Sequence, residues 1–401
     1  MKILMINKFL YPKGGSETYI QKLGVYLQRS GHEVQYFGME HPRRTMGNRA
    51  EVYTKQMDFH AGAKLAYAVK PVYSSEARRK LRQVLEDFQP DVCHLNNFHY
   101  QLTPSILLEI RKWEREGDRR CRIVATAHDY QLVCPNHMCR NPKTGKNCGQ
   151  CLDGTFFSCI RGRCIHGSLA KSIIGAAEAI IWNRAGIYRQ IDTILCCSHF
   201  LKEKLDRNPI LAERTVAMHN FVEEYPWSDT EKQDYVLYFG RYSQEKGIGT
   251  LLSAAAALPD IPFVFAGSGP MAEAITGLPN VRNMGFRSGE RLETLIREAR
   301  FTVYPSQWLE NCPLSILESI SMGTPVLAAD IGGIPELVRE GITGELFESG
   351  NEAQLREKIQ TLWNHPEILQ RYMENCKHPG FVTPEQYCEN LMNYYIGREN
   401  P

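Results

Sequence analysis

The chain has 401 residues, 43% of them apolar and 23% charged, an ordinary globular composition that is too long for one domain and suits two of roughly 150 to 200 residues each. Its net charge of +2 hides an imbalance, because residues 1–200 hold 29 Lys and Arg against 17 Asp and Glu, whereas residues 201–401 hold 18 against 28. The first half is therefore expected to face something acidic: an anionic membrane surface, nucleic acid or a phosphorylated substrate.

In chain order, "KILMIN" reads as an apolar strand, "YPKGG" as a turn, and "SETYIQKLGVYLQRSG" as an amphipathic helix with Tyr19, Leu23, Tyr26 and Leu27 on one side and Gly31 as its stop. Further strands are predicted at "HEVQYFG", "DVCHLN", "RIVATAHD" and, after a long helical stretch, "IDTILCCS". The pattern restarts with "DYVLYFGRYSQEKGIGTLLSAAAAL" and continues through "IPFVFAGSGP", "VRNMGF" and "FTVYPS". Strands alternating with helices give an α/β class with two doubly wound, Rossmann-like parallel sheets facing a central cleft. The polar stretch around 219–234, which contains Pro226, sets the boundary, so the expected domains are 1–220 and 221–380. A last helix within 381–401 is expected to pack back onto the first. No stretch approaches the roughly 20 apolar residues of a membrane span, and "SIIGAAEAIIW" is short and carries Glu178. The start "MKILMINKFLYP" lacks a signal peptide's long apolar core and cleavage site, so the expected location is cytosolic.

The loops after the strands should carry the chemistry. Gly14 and Gly15 let the backbone approach a ligand at the first helix start. Arg241 and Lys246 follow a strand and together could neutralise a diphosphate. In "LENCPLSILESISMGTPVLAA", Pro313 fits best at a helix start, which puts Glu310 in the preceding loop and Glu318 about a turn and a half inside. The amides of Leu314 and Ser315 between them favour an anion.

The order GG, "HD" at 128–129, "GRYSQEKG", "AGSGP", "GF" and "ENCPLSILE" resembles the retaining glycosyltransferases of family 4, which have the GT-B fold, over nearly the whole chain. The resemblance implies transfer of a sugar from a nucleotide diphosphate sugar, a UDP- or GDP-sugar, with retention at the anomeric carbon and no catalytic metal. It implies Arg241 and Lys246 on the diphosphate, Gly15 approaching the same group, Leu314 and Ser315 on the phosphates, and Glu318 on the ribose. Glu310 is implied to hold the donor sugar's hydroxyls and His128 to lie near the reaction centre, while main-chain groups near Gly285 and Phe286 meet the base. A lipid-linked or glycan acceptor at the inner face of the plasma membrane follows from family habit and the basic first half, with no nucleic-acid partner expected.

Residues 134–166 depart from that pattern and hold six of the thirteen cysteines. Cys148-x2-Cys151 followed by Cys159 and Cys164 suits a structural tetrahedral zinc, with Cys134, Cys139, His137 and His166 as alternative ligands. Disulfides are the competing use, and a reducing cytosol disfavours them. The rival readings are another GT-B enzyme, an epimerase or phosphorylase, or a zinc-ribbon protein that binds nucleic acid through "KLAYAVKPVYSSEARRKLRQ" and "RKWEREGDRRCR".

Overall fold

The computed structural model describes residues 1–56 and 70–398. It divides into two units: residues 1–219 with 384–398, and residues 220–383.

In the first unit, β1 (Lys2–Ile6), β2 (Glu33–Phe37), β3 (Val92–Leu95), β4 (Arg122–Ala127), β5 (Thr193–Cys196) and β6 (Thr215–Ala217) form one sheet in the order β2-β1-β3-β4-β5-β6. Every pairing is parallel. The strands are buried along most of their length, as parallel strands covered on both faces must be. Helices α1 (Gly15–Arg29), α2 (Ser75–Phe88), α3 (Ser105–Glu116), α4 (Phe157–Gly162), α5 (Leu169–Arg184) and α6 (His199–Asp206) carry the chain between them.

The second unit repeats the plan with β7 (Gln233–Arg241), β8 (Phe263–Ser268), β9 (Val281–Asn283), β10 (Ala299–Tyr304), β11 (Val326–Asp330) and β12 (Gly344–Glu348) in the order β12-β11-β10-β7-β8-β9. Its helices are α7 (Ile248–Ala256), α8 (Glu290–Glu298), α9 (Leu314–Ser321), α10 (Glu352–Asn364) and α11 (Pro366–Cys376). Tyr238, Phe263, Phe265, Phe301 and Leu327 anchor its core on one face of the sheet.

The last helix, α12 (Pro384–Tyr395), belongs to the first unit. It is fixed by a buried polar chain: Tyr395 Oη lies 2.6 Å from His94 Nδ1, His94 Nε2 lies 2.7 Å from Thr126 Oγ1, and Tyr387 Oη lies 2.7 Å from Tyr19 Oη. Burial holds His94 neutral, with its pKa pushed down to about 3. Among the described residues no helix is long and apolar enough to cross a membrane.

Candidate active site

In each sheet the first strand lies between neighbours that the chain reaches in opposite directions, β1 between β2 and β3, and β7 between β10 and β8. Ligands of open α/β sheets bind outside the carboxyl ends of strands at such a switch point. The loops after β7 and β10 therefore frame the candidate site.

These two loops are stitched together. Gln307 N donates to Glu245 O at 2.9 Å, and Gln307 Nε2 donates to Thr250 Oγ1 at 2.7 Å. At Gly247 the backbone is left-handed (φ 74°), and a Cβ there would lie 1.8 Å from Pro305 O. Only glycine allows this approach.

The close packing delivers Lys246 to Glu310. Lys246 Nζ donates to Glu310 Oε1 at 2.6 Å and to Tyr304 Oη at 3.0 Å, and it lies over the rings of Tyr304 and Trp308. Burial works against its charge, but the Glu310 carboxylate and Tyr304 outweigh it and hold the ammonium above its usual range. Glu310, 4% exposed, also accepts from Ser306 Oγ at 2.8 Å, again on Oε1. Its Oε2 has no hydrogen-bond partner among the described residues, and neither does the third N–H of Lys246.

Glycines after β11 set the backbone of Glu310. Gly333 N donates to Glu310 O at 2.7 Å, and a Cβ on Gly332 (φ 65°) would fall 2.2 Å from that same oxygen. Helix α9 begins after Pro313, whose ψ of 116° is extended. Of its first five residues only Leu314, Ser315 and Glu318 are not fully buried, so its accessible edge carries two starting amides and a carboxylate. Arg241 is exposed at the end of β7, and its guanidinium makes no ion pair with the described residues. Gly285 (φ 65°) turns the chain after β9, leaving Phe286 68% exposed.

In the first unit Gly15 is the first residue of α1, and one turn later the ring of Tyr19 meets His128 edge-on at 5.0 Å. His128 follows β4, and its Nε2–H donates to Asn96 Oδ1 at 2.8 Å. Burial lowers its pKa to about 4 against an upward pull from Asp129, so the ring is neutral at pH 7. Sequence reasoning did not single out Tyr304, Ser306, Gly332 or Gly333. The second GG after a strand, in "IGGIPE", was the available signal for the last two.

The matches to known families fall on these two units. Residues 13–224 match the model described as Glycosyltransferase Family 4, and residues 223–378 match Glycosyl transferases group 1. The chain belongs to glycosyltransferase family 4. As a family 4 chain it is 21% identical over 414 aligned positions to the O-antigen chain mannosyltransferase C of Escherichia coli, with 98% of each chain covered. It is 29% identical over 192 residues to an uncharacterized glycosyltransferase, MJ1178, of Methanocaldococcus jannaschii, a match that spans 46% of this chain and only 54% of that relative. The Anabaena HepE structure in complex with UDP-glucose has a TM-score of 0.67 at 17% identity, covering 99% of this chain and all of that one, which shows the GT-B fold.

The basic segments of this family 4 chain are largely spoken for. Residues 64–69 of the first lie outside the described residues. Arg78 and Arg82 reach Glu109 at 2.8 and 3.2 Å, Arg111 reaches Asp192 at 3.0 Å, and Trp113 is buried. Cys148, Cys151, Cys159 and Cys164 line one cavity together with Cys134 and Cys139, whereas His137 and His166 do not. None of the thirteen cysteines forms a disulfide, and among the described residues no three His, Cys, Asp or Glu side chains already stand in metal-ligating geometry.

Proposed function

We propose that this chain transfers a sugar, with retention of its anomeric configuration, from a nucleotide diphosphate sugar to a lipid-linked or glycan acceptor. The observation that carries the reading is the buried Lys246–Glu310 pair beside the open edge of α9, at the switch point of the second sheet.

Each group there is of the right kind for one part of such a donor. Arg241 and the third N–H of Lys246 are donors for a diphosphate, joined by the amides of Leu314 and Ser315. Glu318, a turn further on, accepts from ribose hydroxyls. Glu310 has one oxygen fixed by Lys246 and Ser306 and offers the other to hydroxyls of the donor sugar. The backbone at Gly285 and Phe286 meets the base, and a UDP- or GDP-sugar is the donor class, the UDP complex of the HepE neighbour supporting the first. In the first unit, Gly15 serves the diphosphate and neutral His128 the reacting sugar.

The bond from the anomeric carbon to the diphosphate breaks, and negative charge builds on the departing phosphate. Preorganised donors lower the barrier by meeting that charge without reorganising. A phosphate oxygen then takes the acceptor's hydroxyl proton on the face where the new bond forms, which gives retention without a side-chain nucleophile. Catalysis in this reading needs no metal. A membrane-bound acceptor is supported by the basic first half and by α5, where Leu169, Ile173 and Ile181 are exposed alongside Lys171 and Arg184. Proton NMR of the product formed from an α-linked UDP- or GDP-sugar tests the stereochemistry. An α-linkage is expected, and a β-linkage would overturn retention.

A further inference from the structure

The proposed donor chemistry uses no residue of the cysteine-rich insertion after β4. Its backbone comes to one place from three directions. Cys134 is held where its amide donates to Tyr130 O at 2.7 Å. A hairpin, closed by the antiparallel bridge between Arg140 and Asn147, sets Cys139 and Cys148 at its base, where Cys148 N donates to Cys139 O at 2.6 Å, and Cys151 follows. Helix α4 carries Cys159, and the left-handed residue Arg163 (φ 48°) turns Cys164 back, so that its amide donates to Cys159 O at 3.0 Å.

All six thiols line one cavity of about 300 Å3. The Cys134 thiol donates to Asn136 Oδ1 at 2.9 Å, and Asn136 Nδ2 donates to Cys164 O at 3.4 Å. No Asp, Glu or His lines the cavity, but Arg140, Lys143 and Arg161 do. A lining of sulfur without carboxylate rejects hard, oxygen-seeking cations and suits a thiophilic ion. A four-thiolate zinc centre carries a net charge of −2, which neighbouring cations offset.

We propose that Cys134, Cys151, Cys159 and Cys164 bind a zinc ion in this cavity as thiolates. These four are chosen because Cys151, Cys159 and Cys164 pack in one cluster and Asn136 bridges Cys134 to Cys164, while Cys139 and Cys148 are tied to each other at the base of the hairpin. The sulfurs do not yet meet at one point. Rotation about χ1 between staggered wells would draw the sulfurs toward the ion, and binding releases four thiol protons to solvent. The ion would tie α4 and the hairpin to the loop after β4. Compared with the set that spacing alone favours, Cys134 replaces Cys148.

The test is the zinc and iron content of the full chain, purified without chelator, by plasma mass spectrometry. Near-stoichiometric zinc is expected, released by a mercurial thiol reagent and detected with a zinc dye. Cys134→Ser, Cys151→Ser, Cys159→Ser and Cys164→Ser should each lower bound zinc at least tenfold, whereas Cys148→Ser should keep it. Because a serine variant could fail to fold, cobalt exchanged into the wild-type chain provides a second readout. Intense sulfur-to-cobalt charge-transfer bands and tetrahedral d–d bands are expected. A metal-free wild type whose thiols all react or are found as disulfides would overturn the proposal, as would iron with visible absorption, or zinc kept by Cys134→Ser. None of these readouts depends on sugar transfer.

Discussion

Replacing one member of the Lys246–Glu310 pair exposes what the pair contributes. Lys246 and Glu310 side chains are 19% and 6% exposed and meet at 2.6 Å, so removing either strands a charge in a poorly hydrated site. Such losses cost about 3 to 5 kcal/mol, and the partial exposure of Lys246 puts Lys246→Met and Glu310→Gln at the low end, about 3 kcal/mol each at pH 7. The double variant strands nothing and should cost less than the sum by about 2 kcal/mol. Lys246 has a raised pKa in the fold, so its contribution is complete below the ordinary lysine pKa and is lost only as pH rises above it. Urea unfolding followed by tryptophan fluorescence reads all four proteins, since Trp227, Trp308 and Trp363 lie in this unit. Additive single effects, or a neutral Lys246→Met, would refute the reasoning.

Two further outcomes follow from other carboxylates. Glu318→Ala should weaken nucleotide binding at least tenfold, whereas Glu310→Ala should mainly lower turnover; equal, negligible effects on donor affinity and rate would contradict the division of roles. Glu178 is 1% exposed on α5, its Oε1 has no hydrogen-bond partner, and burial raises its pKa to about 8. The folded state therefore holds a proton that the unfolded chain has released above about pH 4.5, and stability falls as pH rises through that window. Glu178→Gln should gain up to about 3 kcal/mol at pH 7 and nothing near pH 4.5. A pH-independent difference in urea midpoints would refute it.

Much of this was legible in the sequence, and the reason is periodicity. Central strands such as "KILMI" and "FVFAG" are buried on both faces and read as apolar runs, and Pro313 marked the start of α9 to within a residue. Three strands went unread: β6 with "TVA" and β12 with "GELFE" are short or charged and lie at sheet edges where one side needs no partner, whereas β11 with "VLAAD" is an inner strand whose apolar run was read only as the stretch after α9. Glu310, Glu318 and Lys246 were legible as types in strand-following loops. That Lys246 and Glu310 touch was not, because 64 residues separate them and only the order β10-β7 makes their loops neighbours. For the same reason Gly332 was not singled out, although it sits against the backbone of Glu310. Spacing alone could not place Cys134 beside Cys164, which the fold of the insertion brings to one cavity.

The central claim is a nucleotide diphosphate site built on Lys246, and calorimetric titration with UDP, GDP and ADP tests it most directly, on the wild type and on Lys246→Ala. The account predicts micromolar binding of one of the three, lost in the variant while circular dichroism shows the variant still folded. Binding of none by the wild type, or equal affinity in the folded variant, would contradict it.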